Sequence, residues 1–375
     1  MPAVATHEST TTRAIEKARS SERLTAEDGR ALFGLSLQEL GRLAAMRRDQ
    51  FVPARDVTYL VDRNINYTNV CITDCQFCAF YRPPGHAEGY TLSNEQIASK
   101  IDETIALGGT RILLQGGHNP GLRLAYYVDL MRFIRGRYPD LAIDGFSPSE
   151  IDHLATLEGL STAETLRTLR DAGLTGLPGG GAEILDDDIR SKISPKKQRT
   201  AGWLETMSIA QSLGLVTTAS MVIGFGETID HRLSHLGRIR DLEDASRKAH
   251  GQGFTAFISW TAQLKHNSLG RSSRVLDMGA TAFEYLKVLA LSRLYLDNFA
   301  HIATSWPTLG EKIAEVSLLM GADDFGSTML EENVVSASGT TRTSMSVADI
   351  QRHVRNAGFT PVQRNSRYET VKRFE

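Results

Sequence analysis

The 375-residue sequence predicts an α/β protein built as a (β/α)8-like, TIM-type barrel. Three observations lead there. Short β-type runs alternate with helical runs over most of the chain. Eight such strands can be counted, near residues 66, 112, 143, 175, 219, 257, 303 and 326. Glycine-rich, polar or aromatic residues cluster just after each strand, the face on which barrels of this kind carry their chemistry.

Taken in order, residues 1–20 are polar and small and are expected to be disordered or weakly helical. Residues 21–56 form a helical extension, in which Leu32, Leu35, Leu40 and Leu43 recur at helical intervals. Residues 57–300 hold the barrel core, and 301–375 complete the barrel and the substrate site. Alternating Ile65 and Tyr67 mark the first strand. A helix over 93–107 starts with Ser93 followed by Glu95 and Gln96 and stops at Gly108-Gly109. Strands are expected over 111–114, 141–146, 174–177, 216–223, 255–260, 301–306 and 323–329. Helices are expected between them, over 122–137, 162–172, 203–213, 231–249, 280–299 and 311–320. A last helix over 347–357 and a basic tail close the chain.

The bulk numbers exclude several classes. Net charge is −2, so no basic surface points to nucleic acid. No apolar run approaches the roughly 18 residues of a membrane span, and Met1 to Thr12 lacks the apolar core of a secretion signal. A cytoplasmic protein is expected.

The three cysteines, Cys71, Cys75 and Cys78, all fall within eight residues after the first strand. A disulfide framework needs cysteines spread along the chain. Zinc usually takes four ligands, and here only a residue such as His86 could complete the set. Three thiolates at spacings of four and three can instead hold three irons of a [4Fe–4S] cube and leave the fourth open.

With Phe77 before the last cysteine, this Cys-x3-Cys-x2-Cys pattern resembles the radical S-adenosylmethionine (SAM) superfamily. The resemblance implies that the open iron chelates SAM. One electron, from a donor such as flavodoxin or ferredoxin, then cleaves SAM into methionine and a 5′-deoxyadenosyl radical that takes hydrogen from a small-molecule substrate. Further stretches sharpen it: Asn64–Cys71, Cys78–Arg82, Ile112–Gly117, Phe146–Ile151, Pro178–Leu185, Leu296–Asn298, Ser305–Trp306 and Gly326–Val335. Together they resemble the dehypoxanthine futalosine cyclase family of menaquinone biosynthesis. Aminofutalosine synthases and deazaflavin-chromophore synthases share the pattern in looser form. Asp144, Ala262, Leu264 and His266 depart from the family pattern, and all sit on the loops that would meet substrate.

The resemblance assigns roles. Cys71, Cys75 and Cys78 hold the cluster. Phe77, Gln115, Gly116, Gly117, Ser147 and Glu183 surround SAM: the glycines admit its methionyl end, and Glu183 accepts from ribose hydroxyls or the ammonium. Glu183 could alternatively cap a helix. Arg82, Asn119, Gln263, Glu332 and Asn333 are expected on substrate, with Arg82, Asn119 and Asn333 as candidate clamps for its carboxylate. His118, Glu150 and Glu331 are candidate bases.

Overall fold

The computed structural model describes residues 2–272 and 278–375. Among them eleven strands form one sheet: β1 (Asp56–Leu60), β2 (Asp62–Ile65), β3 (Arg111–Leu114), β4 (Ala142–Gly145), β5 (Gly176–Leu177), β6 (Val216–Ile223), β7 (Phe254–Thr261), β8 (His301–Ala303), β9 (Asp324–Ser327), β10 (Thr360–Arg364) and β11 (Thr370–Arg373). Strands β2 to β9 pair in parallel from neighbour to neighbour. The ring closes through the first strand, which is broken at Val61 into β1 and β2. β1 pairs in parallel with β9, and β2 with β3. Beyond the break, Asn64 N–H still reaches Met329 O at 3.0 Å, so the strand stays seated against the chain leaving β9. All eight expected barrel strands are present.

Local chemistry sets the helices around the ring. Ser93, Ser161 and Thr228 each accept from the third helical N–H and receive a side chain in return, closing capping boxes at the starts of Asn94–Ala106, Thr162–Ala172 and Ile229–His250. The first of these buries Ile97, Ala98 and Ile101, one stripe at helical spacing, against the sheet.

Three segments lie beyond the barrel strands and their helices. Residues 1–20 were expected to be disordered or weakly helical; a helix spans Pro2–Ser20, and its Ala14 and Ala18 are buried in the core. Small side chains at that spacing let a polar helix lie close on its neighbours. The extension itself is two helices, Ala26–Phe33 and Leu37–Arg48, packed on Ala282–Tyr295 and Ile229–His250. The basic tail is the β10–β11 hairpin, with β10 parallel to β1 and β11 antiparallel to β10. Pro361 and the charges of Lys372 and Arg373 hide its strand character.

The barrel is hollow. Along β6, Val216, Thr218, Ser220 and Val222 face the lumen, while Thr217, Ala219, Met221 and Ile223 are buried on the helical side. Small inward residues on other strands, Ala256, Ala303 and Gly326, leave a cavity of about 360 Å³. That volume falls in the range of small-molecule sites. The ring's C-terminal end carries the cysteine loop, and the β10–β11 hairpin closes the other end with Arg364, Ser366 and Tyr368. No helix among the described residues is long and apolar enough to cross a membrane.

Candidate active site

The cysteine loop is pinned at several points. Cys71 N–H reaches Arg82 O (2.9 Å), Ile72 N–H reaches His118 O (3.1 Å) and Gln76 N–H reaches Ile193 O (2.9 Å). Asn267 Nδ2 donates to Phe77 O at 2.9 Å. Asp74 adopts a left-handed φ of 44° and pairs with Lys196 at 2.7 Å. Gly117 brings the loop after β3 against this one: a Cβ there would stand 2.2 Å from Val70 O and 2.8 Å from Cys71 Cβ.

The donor set suits an iron–sulfur cube. Cys75 is buried, Cys71 and Cys78 are half-buried, and Cys78 lines the lumen. Cys71 Sγ accepts Thr73 N–H at 3.4 Å. Among the described residues no three His, Cys, Asp or Glu side chains gather closely enough for a single metal ion. His86 is exposed, and its Nδ1 accepts Glu88 N–H (3.1 Å). A cube instead spreads three thiolates over three irons. Burial pushes the Cys75 thiol up to about 12 and raises Cys78 as well, so the positive charge of bound iron is what favours the thiolates here.

Glu183 stands beside this loop, buried, at a left-handed φ of 41°. One carboxylate oxygen pairs with Lys197 Nζ at 2.7 Å and the other with Arg190 at 3.4 Å. The Lys197 ammonium also lies 5.4 Å from the centre of the Phe77 ring, and Phe77 packs on Phe225 at 5.3 Å. Glu183 does not cap a helix; the next one, Asp187–Ile193, is capped by Asp186. The Lys196-Lys197 pair reads in sequence as a solvated charge run, so Lys197 gave no signal of its own.

Of the remaining predicted residues, Phe77, Gln115, Glu183, Gln263 and Glu332 line the lumen. Glu331 and Asn333 face a second, outer pocket with Phe80, Tyr90 and Lys100. Neighbouring residues of one loop thus divide between two cavities. Glu331 pairs with Lys100 and Arg63; burial opposes its charge, but these partners and Asn333 hold its carboxyl below the usual range.

Six predicted residues are committed to the scaffold instead. Arg82 donates to Glu88 (2.6 Å) and to the carbonyls of Ala79 and Tyr81. Asn119 shapes its own turn, accepting Gly121 N–H (2.9 Å) and donating to Thr68 (3.3 Å). Ser147 caps the helix Pro148–Glu158 and donates to Glu150 (2.8 Å). Gly116 leaves room for the Tyr67 ring, 2.5 Å from where its Cβ would be. Its N–H goes to Glu150 (3.0 Å), as does the Tyr67 hydroxyl (2.8 Å). Glu150 therefore has three donors on two oxygens and lines neither pocket. Burial pushes its carboxyl up to about 7 against those donors. His118 is buried, bonded to Ser149 (2.9 Å) and stacked on His153. Burial and His153 drive its pKa down to about 3. A ring so reluctant to take a proton is a poor base.

The far end of the lumen holds Asp144, expected on the loop after its strand but seated within β4, and residues that carried no site signal in the sequence: Arg111, Asp324, Arg364 and Tyr368. They lie at strand starts and in the terminal hairpin, far apart along the chain.

Comparison with known proteins matches residues 65–239 to the radical SAM superfamily and residues 251–375 to the CofH/MqnC C-terminal region. The chain is 43% identical over 362 residues to a cyclic dehypoxanthine futalosine synthase from Halalkalibacterium halodurans, covering 96% of this chain and 95% of that one. It is 41% identical to a protein of the same name from Streptomyces coelicolor, covering 95% and 87%. Its fold resembles the FeFe-hydrogenase maturase HydG from Carboxydothermus hydrogenoformans, with a TM-score of 0.74 at 17% identity over 96% of this chain and 81% of that one. A [4Fe–4S] cluster and SAM are accordingly its cofactors, and Cys71, Cys75 and Cys78 stand in one loop as the thiols that would hold the cluster. The chain belongs to the radical SAM superfamily, in the branch that carries the CofH/MqnC C-terminal region.

Proposed function

We propose that this enzyme converts dehypoxanthine futalosine into cyclic dehypoxanthine futalosine, a step of menaquinone biosynthesis. The near full-length match to two synthases of that name carries the reading. The hollow barrel, reaching from Cys78 to the terminal hairpin, gives such an elongated substrate a place beside the cysteines.

The cluster and SAM, when bound, supply a one-electron cleavage that removes one hydrogen atom from the substrate, here assigned to ribose C4′. The chain's own part is placement. Leu113, Val222, Ile258 and Trp260 form apolar walls that exclude water while the ring closes onto the benzoate. Gln115 and Gln263 offer amides to the substrate's hydroxyls. Restoring the aromatic ring releases one electron, which the oxidised cluster would take up, and one proton, which Glu332 is the carboxylate assigned to accept. It lines the lumen, and burial raises its affinity for a proton although Val334, Val335 and Ser336 N–H groups donate to it. Reduction of the cluster falls to an external one-electron donor of the flavodoxin or ferredoxin kind.

A second reading, aminofutalosine synthesis on the same scaffold, draws on the departures Asp144 and Ala262, both of which line the lumen. Anaerobic assays of cluster-loaded protein with each substrate separate the two. Cyclic product from dehypoxanthine futalosine supports the first reading. Aminofutalosine formation without cyclic product replaces it with the second.

A further inference from the structure

The end of the lumen away from the cysteines is closed by charge. Among the residues lining the lumen, the cations are Arg111, at the start of β3, and Arg364, at the end of β10. Arg364 is held from three sides: Nε binds Asp324, Nη1 donates to Asn365 O (3.1 Å), and the guanidinium stacks 3.8 Å from the Tyr368 ring centre. Arg111 is held tightly along one edge only. Its Nε (3.0 Å) and Nη2 both go to one oxygen of Asp62, and its Nη1 reaches Asp144 only at 3.4 Å. A charge-assisted N–H···O bond is normally about 2.7–2.9 Å. One nitrogen of a rigid, permanently charged fork thus keeps only a long contact, to Asp144, at a lumen wall.

The neighbours favour an acceptor there. Ser366 Oγ, from the terminal hairpin, and Thr175 Oγ1 both donate to Asp144 at 3.1 Å. Burial pushes the Asp144 carboxyl above its ordinary range against the pull of Arg111. The residues expected from sequence to clamp a carboxylate, Arg82, Asn119 and Asn333, all lie outside the lumen lining.

We infer that Arg111 seats a carboxylate of the substrate at the floor of the barrel, with Asp144 and Ser366 beside it. The substrate then stands along the barrel axis, reacting sugar at the cysteine loop and aryl carboxylate at the strand starts. This orientation rests on the substrate proposed above, which carries a sugar at one end and a benzoate at the other. The four inward residues of β6, from Val216 to Val222, span roughly 20 Å, deep enough for an elongated ligand.

The test is calorimetric binding to the cluster-loaded full chain without reductant. Wild type should bind dehypoxanthine futalosine about 100-fold more tightly than its benzamide analogue. Arg111→Lys, which keeps a cation for Asp62 but loses the fork, should shrink that preference at least tenfold and leave SAM affinity unchanged. No preference in wild type, or full preference in Arg111→Lys, overturns the inference. Because the analogue comparison needs no variant, a folding defect does not obscure the result. If the proposed substrate is wrong and does not bind, 3-acetylbenzoate decides the floor site by itself. Binding to wild type that weakens in Arg111→Lys keeps the site while the substrate assignment falls; equal binding, or none, removes the site.

Discussion

At the scale of single residues, the cysteines, Glu150 and Glu332 give the sharpest expectations. Cys75→Ala, prepared anaerobically, should lose the broad visible absorption of thiolate-to-iron charge transfer and its bound iron; retention of both would contradict the three-thiolate assignment. Glu150 has a folded pKa of about 7 against an ordinary 4.5. Its folded-state preference for the proton therefore stabilises the protein fully below about pH 4.5 and is lost as pH rises through 7, a change on the order of 3 kcal/mol. Glu150→Gln keeps an acceptor for Tyr67 and Gly116, and Ser147 can accept from the new amide. Denaturant unfolding between pH 4.5 and 8 should show wild type losing stability relative to this variant; parallel curves would refute the buried, proton-favouring Glu150. Glu332→Gln should lower kcat by about 100-fold or more with SAM binding intact; unchanged kcat would remove it as the base. The cysteines were legible because a rare residue clustered locally. Glu150, His118 and Arg82 were placed on the correct loops, but a sequence does not say whether a side chain turns into the lumen or into the loop's own bonding.

At the scale of elements, Gly117 holds two loops together. Gly117→Ala sets a Cβ against Val70 O and Cys71 Cβ, and backbone has nowhere cheap to move. Iron per chain after reconstitution should fall to less than half of wild type; full loading would show that the loops have slack. The barrel strands and most surrounding helices were legible through alternation and capping signals such as Ser93 and Ser161. The helix Pro148–Glu158 lay within a stretch read only for its Ser-Pro-Ser-Glu signal. The hairpin was missed because β10 draws its pairing from β1, some 300 residues earlier, and β11 pairs only on β10.

At the scale of the molecule, the hairpin turns a hollow ring into a closed chamber. Arg364 of β10 pairs with the fully buried Asp324 of β9. Arg364→Met should destabilise by about 3–5 kcal/mol, because Asp324 stays buried without its cation, and adding Asp324→Asn should recover much of that loss in unfolding experiments. Equal destabilisation by both variants would deny the pairing its role. The floor was illegible in sequence, since Arg111, Asp144, Asp324 and Arg364 meet only once the ring has closed. The most direct test of the whole account uses dehypoxanthine futalosine carrying deuterium at ribose C4′, incubated with SAM and reductant without oxygen. The account predicts cyclic product together with 5′-deoxyadenosine that has gained one deuterium. Cyclic product with unlabelled 5′-deoxyadenosine, or deoxyadenosine alone with no cyclic product, would contradict it.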